Sequence, residues 1–155
     1  MIMICAGSGF APFRGFIQER SILQQRGAKL AAAYIFIGCT HPEQDVLFAS
    51  EVDKWQQDGV ITVFHAFSRL KEQSKGVKYV HERLWEERKE MVEVFNQGAK
   101  IFICGSALVG EGVATTVKKI YAEAAKDLGK DKTKEQVDEW FESMKGERYA
   151  SDVFV

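Results

Sequence analysis

Short apolar runs alternate with segments of helical period along the whole chain. Residues 2–6 form an apolar run that meets Gly7-Ser8-Gly9, and Pro12 then opens a segment with Phe13, Phe16 and Ile17 at helical spacing that closes near Gly27. This predicts strand, tight turn and helix. A second apolar run, 30–37, ends at Gly38, and after the polar stretch 41–45 the positions Leu47, Phe48, Val52 and Trp55 predict a helix over 46–55. A third strand is predicted over 60–67 behind Gly59, and the polar, glycine-containing stretch 68–76 reads as an exposed loop. Val80, Leu84, Trp85, Val92 and Phe95 fit one or two amphipathic helices.

Residues 100–104 predict a fourth strand, ending at Gly105. Behind it Val113, Val117, Ile120, Tyr121, Ala124 and Leu128 keep the i, i+3, i+4, i+7 pattern up to Gly129, which serves as a C-cap. Thr133 and Gln136 have the spacing of a capping box, backed by Val137, Trp140, Phe141 and Met144. That helix should end near Gly146, and the β-branched and aromatic residues of 148–155 predict a last strand. Strands alternating with helices imply an α/β fold, a doubly wound parallel sheet whose ligands sit at the carboxyl ends of the strands. The five predicted strands make that sheet five-stranded, with helices on both faces. The whole of 1–155 reads as one domain, and an apolar run that starts at residue 1 predicts the C-terminal piece of a longer protein.

Composition narrows the function classes. A chain of 155 residues, 46% hydrophobic with only 2 prolines, excludes a disordered tail, a collagen-like repeat and a low-complexity array. Lys and Arg total 21 against 22 for Asp and Glu, so nothing global draws a nucleic acid or an anionic membrane and any anion site must be local. Cys5, Cys39 and Cys104 form no CxxC and have no His at ligand spacing. That argues against a metal site and a disulfide framework, and for a reducing, cytoplasmic setting. Neither a membrane span nor a signal peptide is visible.

Three loops carry candidate chemistry. Gly7-Ser8-Gly9 to Pro12 joins a strand end to a helix start, where glycines admit a phosphate and the helix offers free N–H groups. Pro12 replaces the third glycine of the common dinucleotide fingerprint, and Gly38-Cys39-Thr40 stands where its acidic residue belongs, so this is not the usual NAD site. Ser68-Arg69, followed by Lys71, Lys75, Lys78 and Tyr79, concentrates cations and hydroxyls in a chain of balanced charge. An Arg fork, a Lys point charge and neutral hydroxyl donors suit the 2′-phosphate of NADP(H) rather than the ribose hydroxyl of NAD(H). The third loop is Cys104-Gly105, matched by Asp152 and Phe154 near the end of the chain. In a doubly wound sheet all three can border one crevice.

These residues resemble the NADPH-binding domain of the ferredoxin-NADP reductase superfamily, in the diflavin branch that includes NADPH-cytochrome P-450 reductase. The carriers are CAGSGFAPFRGF (5–16), GCTHPEQDVLF (38–48), AFSR (66–69), KYV (78–80), FICGS (102–106) and RYASDVF (148–154). GCTHP and SDVF are most similar to fungal self-sufficient fatty-acid hydroxylases, in which a haem domain is fused to the reductase. The resemblance implies that Gly7, Ser8, Gly9 and Pro12 line the pyrophosphate and nicotinamide side of NADPH, while Ser68, Arg69, Lys78 and Tyr79 hold the 2′-phosphate and adenosine. It further implies that Cys104 and Asp152 stand beside the nicotinamide as catalytic residues, and that Phe154 takes the place of a terminal aromatic that stacks on the flavin and must move aside.

Thr40, His81, Gly105 and Ser106 fall on cofactor-binding positions of the same family, and in the longer cationic loop Lys71, Lys75 and Lys78 are alternative candidates for the lysine that meets the phosphate. The family often has Arg at Thr40, Gln at His81, Lys at Val77 and Asp at Ser106, and the loop between Arg69 and Tyr79 is longer than in microsomal relatives. FAD, FMN and haem are then expected in the parent protein, with its FAD domain, an FMN domain and a haem monooxygenase as partners. The alternatives are the NAD(P)H domain of a single-flavin ferredoxin, flavodoxin or nitrate reductase, and a non-catalytic NADP-binding module.

Overall fold

A computed structural model describes residues 1–154. Five strands form: β1 (Ile2–Ala6), β2 (Tyr34–Cys39), β3 (Thr62–Phe67), β4 (Ile101–Ser106) and β5 (Tyr149–Phe154). Six helices alternate with them: α1 (Ala11–Gln25), α2 (Ala49–Gln57), α3 (Val80–Glu86), α4 (Arg88–Asn96), α5 (Ala107–Asp127) and α6 (Lys134–Met144). The strands pair in parallel in the order β3-β2-β1-β4-β5. The doubly wound five-stranded sheet expected from the alternation is the architecture observed. Its order reverses direction between β1 and β4, and that switch point is where such a sheet opens a ligand crevice.

Alternation along β1 builds two cores. Ile2 and Ile4 join Phe36, Ile101 and Ile103 beneath α3 to α6, while Met3 and Cys5 join Ile35, Ile37 and Cys104 beneath α1 and α2. A strand buried on both faces has no polar positions, which is why β1 reads as an unbroken apolar run. The box at the head of α6 is present: Gln136 N–H donates to Thr133 Oγ1 at 3.3 Å, and Thr133 N–H to Gln136 Oε1 at 3.1 Å. Gly129 ends α5 with φ 70°. Among the described residues no helix is long and apolar enough to cross a membrane.

Several boundaries move. The second strand begins at Tyr34 rather than residue 30, with the ladder to β1 starting at the Ile2–Tyr34 pair and residues before it bonding only singly to Met1. The helix expected over 46–55 starts at Ala49, since Phe48 before it is left-handed at φ 55°. The third strand starts at Thr62, leaving Val60 and Ile61 buried but outside it. The last strand occupies Tyr149–Phe154, and its expected final residue, Val155, lies outside the described residues.

The stretch 68–76 is not simply an exposed loop. Lys71–Ser74 forms a 3-10 turn, and Ser74 is fully buried. The reason lies in the sheet, because β3 is an edge strand whose outward backbone groups need partners. Val63 N–H donates to Gln56 Oε1 at 3.0 Å, Arg83 Nη1 donates to His65 O at 3.1 Å, and Phe67 N–H donates to Ser74 Oγ at 3.0 Å.

Candidate functional site

The switch-point crevice is built around Gly9. The 3-10 turn Gly7–Phe10 leads from β1 into α1, and Gly9 in it lies against β4: a Cβ there would overlap the Cys104 carbonyl and stand 3.0 Å from Gly105 N. Gly7, at φ 55°, and Ser8 are exposed at the mouth, and Pro12 sits in the first turn of α1 where no N–H is missed. The first turn of α5 holds no acidic residue and its N-cap side chain bonds no amide, so α5 presents free amide donors, whereas at the head of α1 the Ala11 N–H donates to Ser8 O and Pro12 has none. Ser106 is the N-cap of α5, and Gly105 precedes it in β4.

Cys104 and Asp152 are register partners across β4 and β5, and Ser106 and Phe154 are the next pair in phase with them. Side chains in register on parallel strands project to one face, so Cys104, Asp152 and Phe154 share the α1 side of the sheet. Cys104 is buried, Asp152 exposed and Phe154 44% exposed. Burial raises the Cys104 pKa above that of an ordinary thiol and the neighbouring Asp152 charge adds to the rise, so this sulfur is a thiol at neutral pH. Cys5, beside it in β1, is raised further by burial, and Cys39 is pushed up to about 12 by burial with the Asp45 charge behind it.

The cationic loop closes the other end of the crevice. Ser68 N–H donates to Cys39 O and Arg69 N–H to Thr40 O, each at 3.0 Å, which fixes Ser68 and Arg69 beside the end of β2. Thr40, although exposed, is already engaged: its Oγ1 donates to Asp45 Oδ2 at 2.6 Å, and the amides of Thr40 and His41 donate to the same carboxylate at 2.7 Å. Those bonds, the Thr40 hydroxyl first, hold the Asp45 carboxyl below the usual carboxylate range. Lys75 is likewise committed, with Nζ 2.6 Å from Glu87 Oε1, the oxygen that also takes Arg83 Nε at 3.0 Å. Arg69, Lys71 and Lys78 form no ion pair among the described residues.

Tyr79 is 53% exposed and its ring stacks on His81 with centroids 5.6 Å apart and planes 11° apart. His81 in turn lies on α5, where a Cβ on Gly112 would come within 2.6 Å of its Nδ1. Glu82 Oε2 accepts the amides of Lys78 at 2.8 Å and Tyr79 at 3.1 Å, capping α3. The expected residues thus fall on one end of the sheet, with Thr40 and Lys75 engaged by protein carboxylates. Sequence reasoning missed Asp45, Ser74, Glu82 and Glu87, which hold the loops. Only the placement of Asp45 behind Pro42 in a polar turn gave a signal.

The model of the oxidoreductase NAD-binding domain family matches residues 3–115. The chain belongs to that family. It is 43% identical over 99% of its length to a bifunctional cytochrome P450/NADPH–P450 reductase of Fusarium oxysporum. It is 41% identical over 99% to a self-sufficient cytochrome P450 monooxygenase of Exserohilum turcicum, and 34% identical over 99% to a bifunctional cytochrome P450/NADPH–P450 reductase of Bacillus subtilis. The chain spans 14% of the length of each of these relatives. The family match covers β1 to the first half of α5, and so the glycine turn, the cationic loop and Cys104; Asp152 and Phe154 lie beyond it. Among the described residues no cluster of His, Cys, Asp or Glu is placed to hold a metal ion.

Proposed function

We propose that this chain, 1–155, is the NADPH-binding domain at the C-terminal end of a larger cytoplasmic flavoprotein reductase. The observation that carries this reading is the seat of Gly9 on the Cys104–Gly105 peptide, which sets an amide-lined turn without side-chain bulk beside a buried thiol and the Asp152 carboxylate. The residues fit a dinucleotide. Free amides at the head of α5 suit the pyrophosphate, Ser68, Arg69 and Lys78 suit a 2′-phosphate, and the exposed Tyr79 ring offers a stacking face for adenine. Bound NADPH supplies a hydride, for which the acceptor is FAD held by a preceding domain of the same parent chain.

The protein's own part is positioning and electrostatics. The Asp152 carboxylate, exposed at the rim of the crevice, would favour positive charge on a nicotinamide ring held beside it. Cys104, kept neutral, packs against the ring without competing for that charge. Phe154, on the edge strand and 44% exposed, is the residue that would cover a flavin held beside this face and would have to move for nicotinamide to reach it. The names of two of the relatives, which join a cytochrome P450 to an NADPH–P450 reductase, support a parent in which a haem domain takes the electrons onward; an FMN domain between the two, and a fatty-acid hydroxylase fusion, complete the proposal. Calorimetric titration of the full-length protein with NADP+, 2′,5′-ADP and NAD+ tests the reading. Binding of the first two with little of the third is expected; equal binding of NADP+ and NAD+, or none of either, sinks it.

A further inference from the structure

The cations and hydroxyls assigned to the 2′-phosphate sit at the two ends of one loop, and neither end is held by the sheet alone. Ser68 and Arg69 follow Phe67, the last residue of β3, and Lys78 and Tyr79 follow Val77, the residue that leads into α3. Both of those anchors bond the same side chain. Phe67 N–H donates to Ser74 Oγ at 3.0 Å, and Ser74 Oγ donates to Val77 O at 2.8 Å, with Lys71 O a second acceptor at 3.2 Å. Ser74 is 0% exposed in a stretch where its neighbours Gln73 and Lys75 are exposed.

The chain is bent to place it there. Lys75 and Gly76 both have positive φ, 56° and 80°, and Gly76 N–H donates back to Lys71 O at 2.8 Å. A lysine in that region carries strain that surrounding contacts must offset. The bend turns one hydroxyl inward so that it closes a ring from β3 to α3. A hydroxyl that accepts from one strand and donates to the other end of a loop fixes their spacing in a way that water, which must itself be immobilised, does not.

We propose that Ser74 is a positioning residue for recognition of the 2′-phosphate of NADP(H), setting the span between the Ser68-Arg69 pair and Lys78. It touches no ligand. This rests on the phosphate assignment under the proposed function. Its signature is selective, because the diphosphate side of the crevice is built on β1 and β4, and the Tyr79 ring offered to adenine is held by its own stack on His81, so neither depends on this ring of hydrogen bonds.

The test compares 2′,5′-ADP with 5′-ADP, which differ by the 2′-phosphate, in calorimetric titrations of the full-length protein and its Ser74→Ala and Arg69→Ala variants. Ser74→Ala is expected to weaken 2′,5′-ADP by about tenfold while 5′-ADP changes by less than about twofold. Equal weakening of both ligands would mean general unfolding of the domain and overturns the proposal, as does unchanged 2′,5′-ADP binding in Ser74→Ala alongside a loss in Arg69→Ala. If Arg69→Ala also leaves 2′,5′-ADP binding unchanged, the phosphate site itself fails and the role of Ser74 goes with it. Should Ser74→Ala not fold, the near-isosteric Ser74→Cys weakens the same hydrogen bonds and should show the same selectivity on a smaller scale; a loss shared by both ligands overturns the proposal there too.

Discussion

Gly9 and Cys104 meet through their backbones, so closely that the space for a Cβ on Gly9 is already taken by the Cys104 carbonyl. The contact lets the turn after β1 lie flat on the end of β4, and the crevice at the switch point exists because of it. Gly9→Ala must push the turn and β4 apart or shift the peptide. We expect a loss of about 1–3 kcal/mol of stability, the usual cost of overpacking, together with a more than about tenfold loss of NADP+ affinity. Gly7 makes the control. A Cβ there meets nothing, so Gly7→Ala carries only the left-handed backbone strain, about 1–2 kcal/mol. Thermal melts and calorimetry of both variants check this, and a Gly9→Ala variant with unchanged affinity would show that the turn has room to spare.

The cationic loop separates cations that face solvent from one that braces the fold. Arg69→Ala and Lys78→Ala should each weaken 2′,5′-ADP by roughly tenfold or more, the scale of a lost charge-assisted hydrogen bond. Lys75→Ala should change it by less than about threefold and cost about 0.5 kcal/mol of stability, because Glu87 keeps Arg83 as a partner. A Lys75→Ala variant that loses 2′,5′-ADP as strongly as Lys78→Ala would mean that Lys75 leaves Glu87 when the phosphate arrives.

The elements that were legible in the sequence are those whose burial writes a period. β1 is apolar throughout because it is covered on both faces, and α5 keeps its stripe for 21 residues because it packs along the sheet. The site was legible where chemistry demands a residue type: glycine at Gly9 for want of space, Arg69 for a planar fork. What was not legible is the bracing of the loops. Ser74 lies inside a stretch as polar as any surface loop, and nothing in its neighbours signals that an edge strand needs its hydroxyl. Lys75 looked like a phosphate ligand because a lysine reads the same whether it faces solvent or a glutamate twelve residues on.

Asp45 makes the loop after β2 sensitive to acid. Its folded-state pKa is depressed, by the Thr40 hydroxyl first and by the amides of Thr40 and His41. Its contribution is therefore complete above the ordinary carboxylate range, near pH 4, and is lost as pH falls through the lower folded value. The protection of the Thr40 and His41 amides, their exchange relative to an unfolded chain at the same pH, should be high at neutral pH and fall only below about pH 4, and Asp45→Asn should show low protection at every pH. Protection that is already low at neutral pH in the native protein would mean that the carboxylate does not hold these amides.

Cys104 is the group whose ionisation matters most to the crevice, and its environment works against the thiolate. Burial comes first and the Asp152 charge second, and both raise the pKa from the ordinary value of 9.0. The sign follows directly: the folded protein holds this proton more tightly than the unfolded chain, so the stability it brings is constant below pH 9 and falls as pH rises above it. Iodoacetamide, which reacts with the thiolate, should modify Cys104 at pH 8 at least about tenfold more slowly than it modifies a free cysteine. Asp152→Asn removes the charge and keeps the shape, so it should speed the reaction without matching the free thiol, since burial remains. Mass-spectrometric timing of alkylation resolves the two contributions. A native Cys104 that reacts at the free-cysteine rate would instead mean that neither burial nor the Asp152 charge holds back its ionisation.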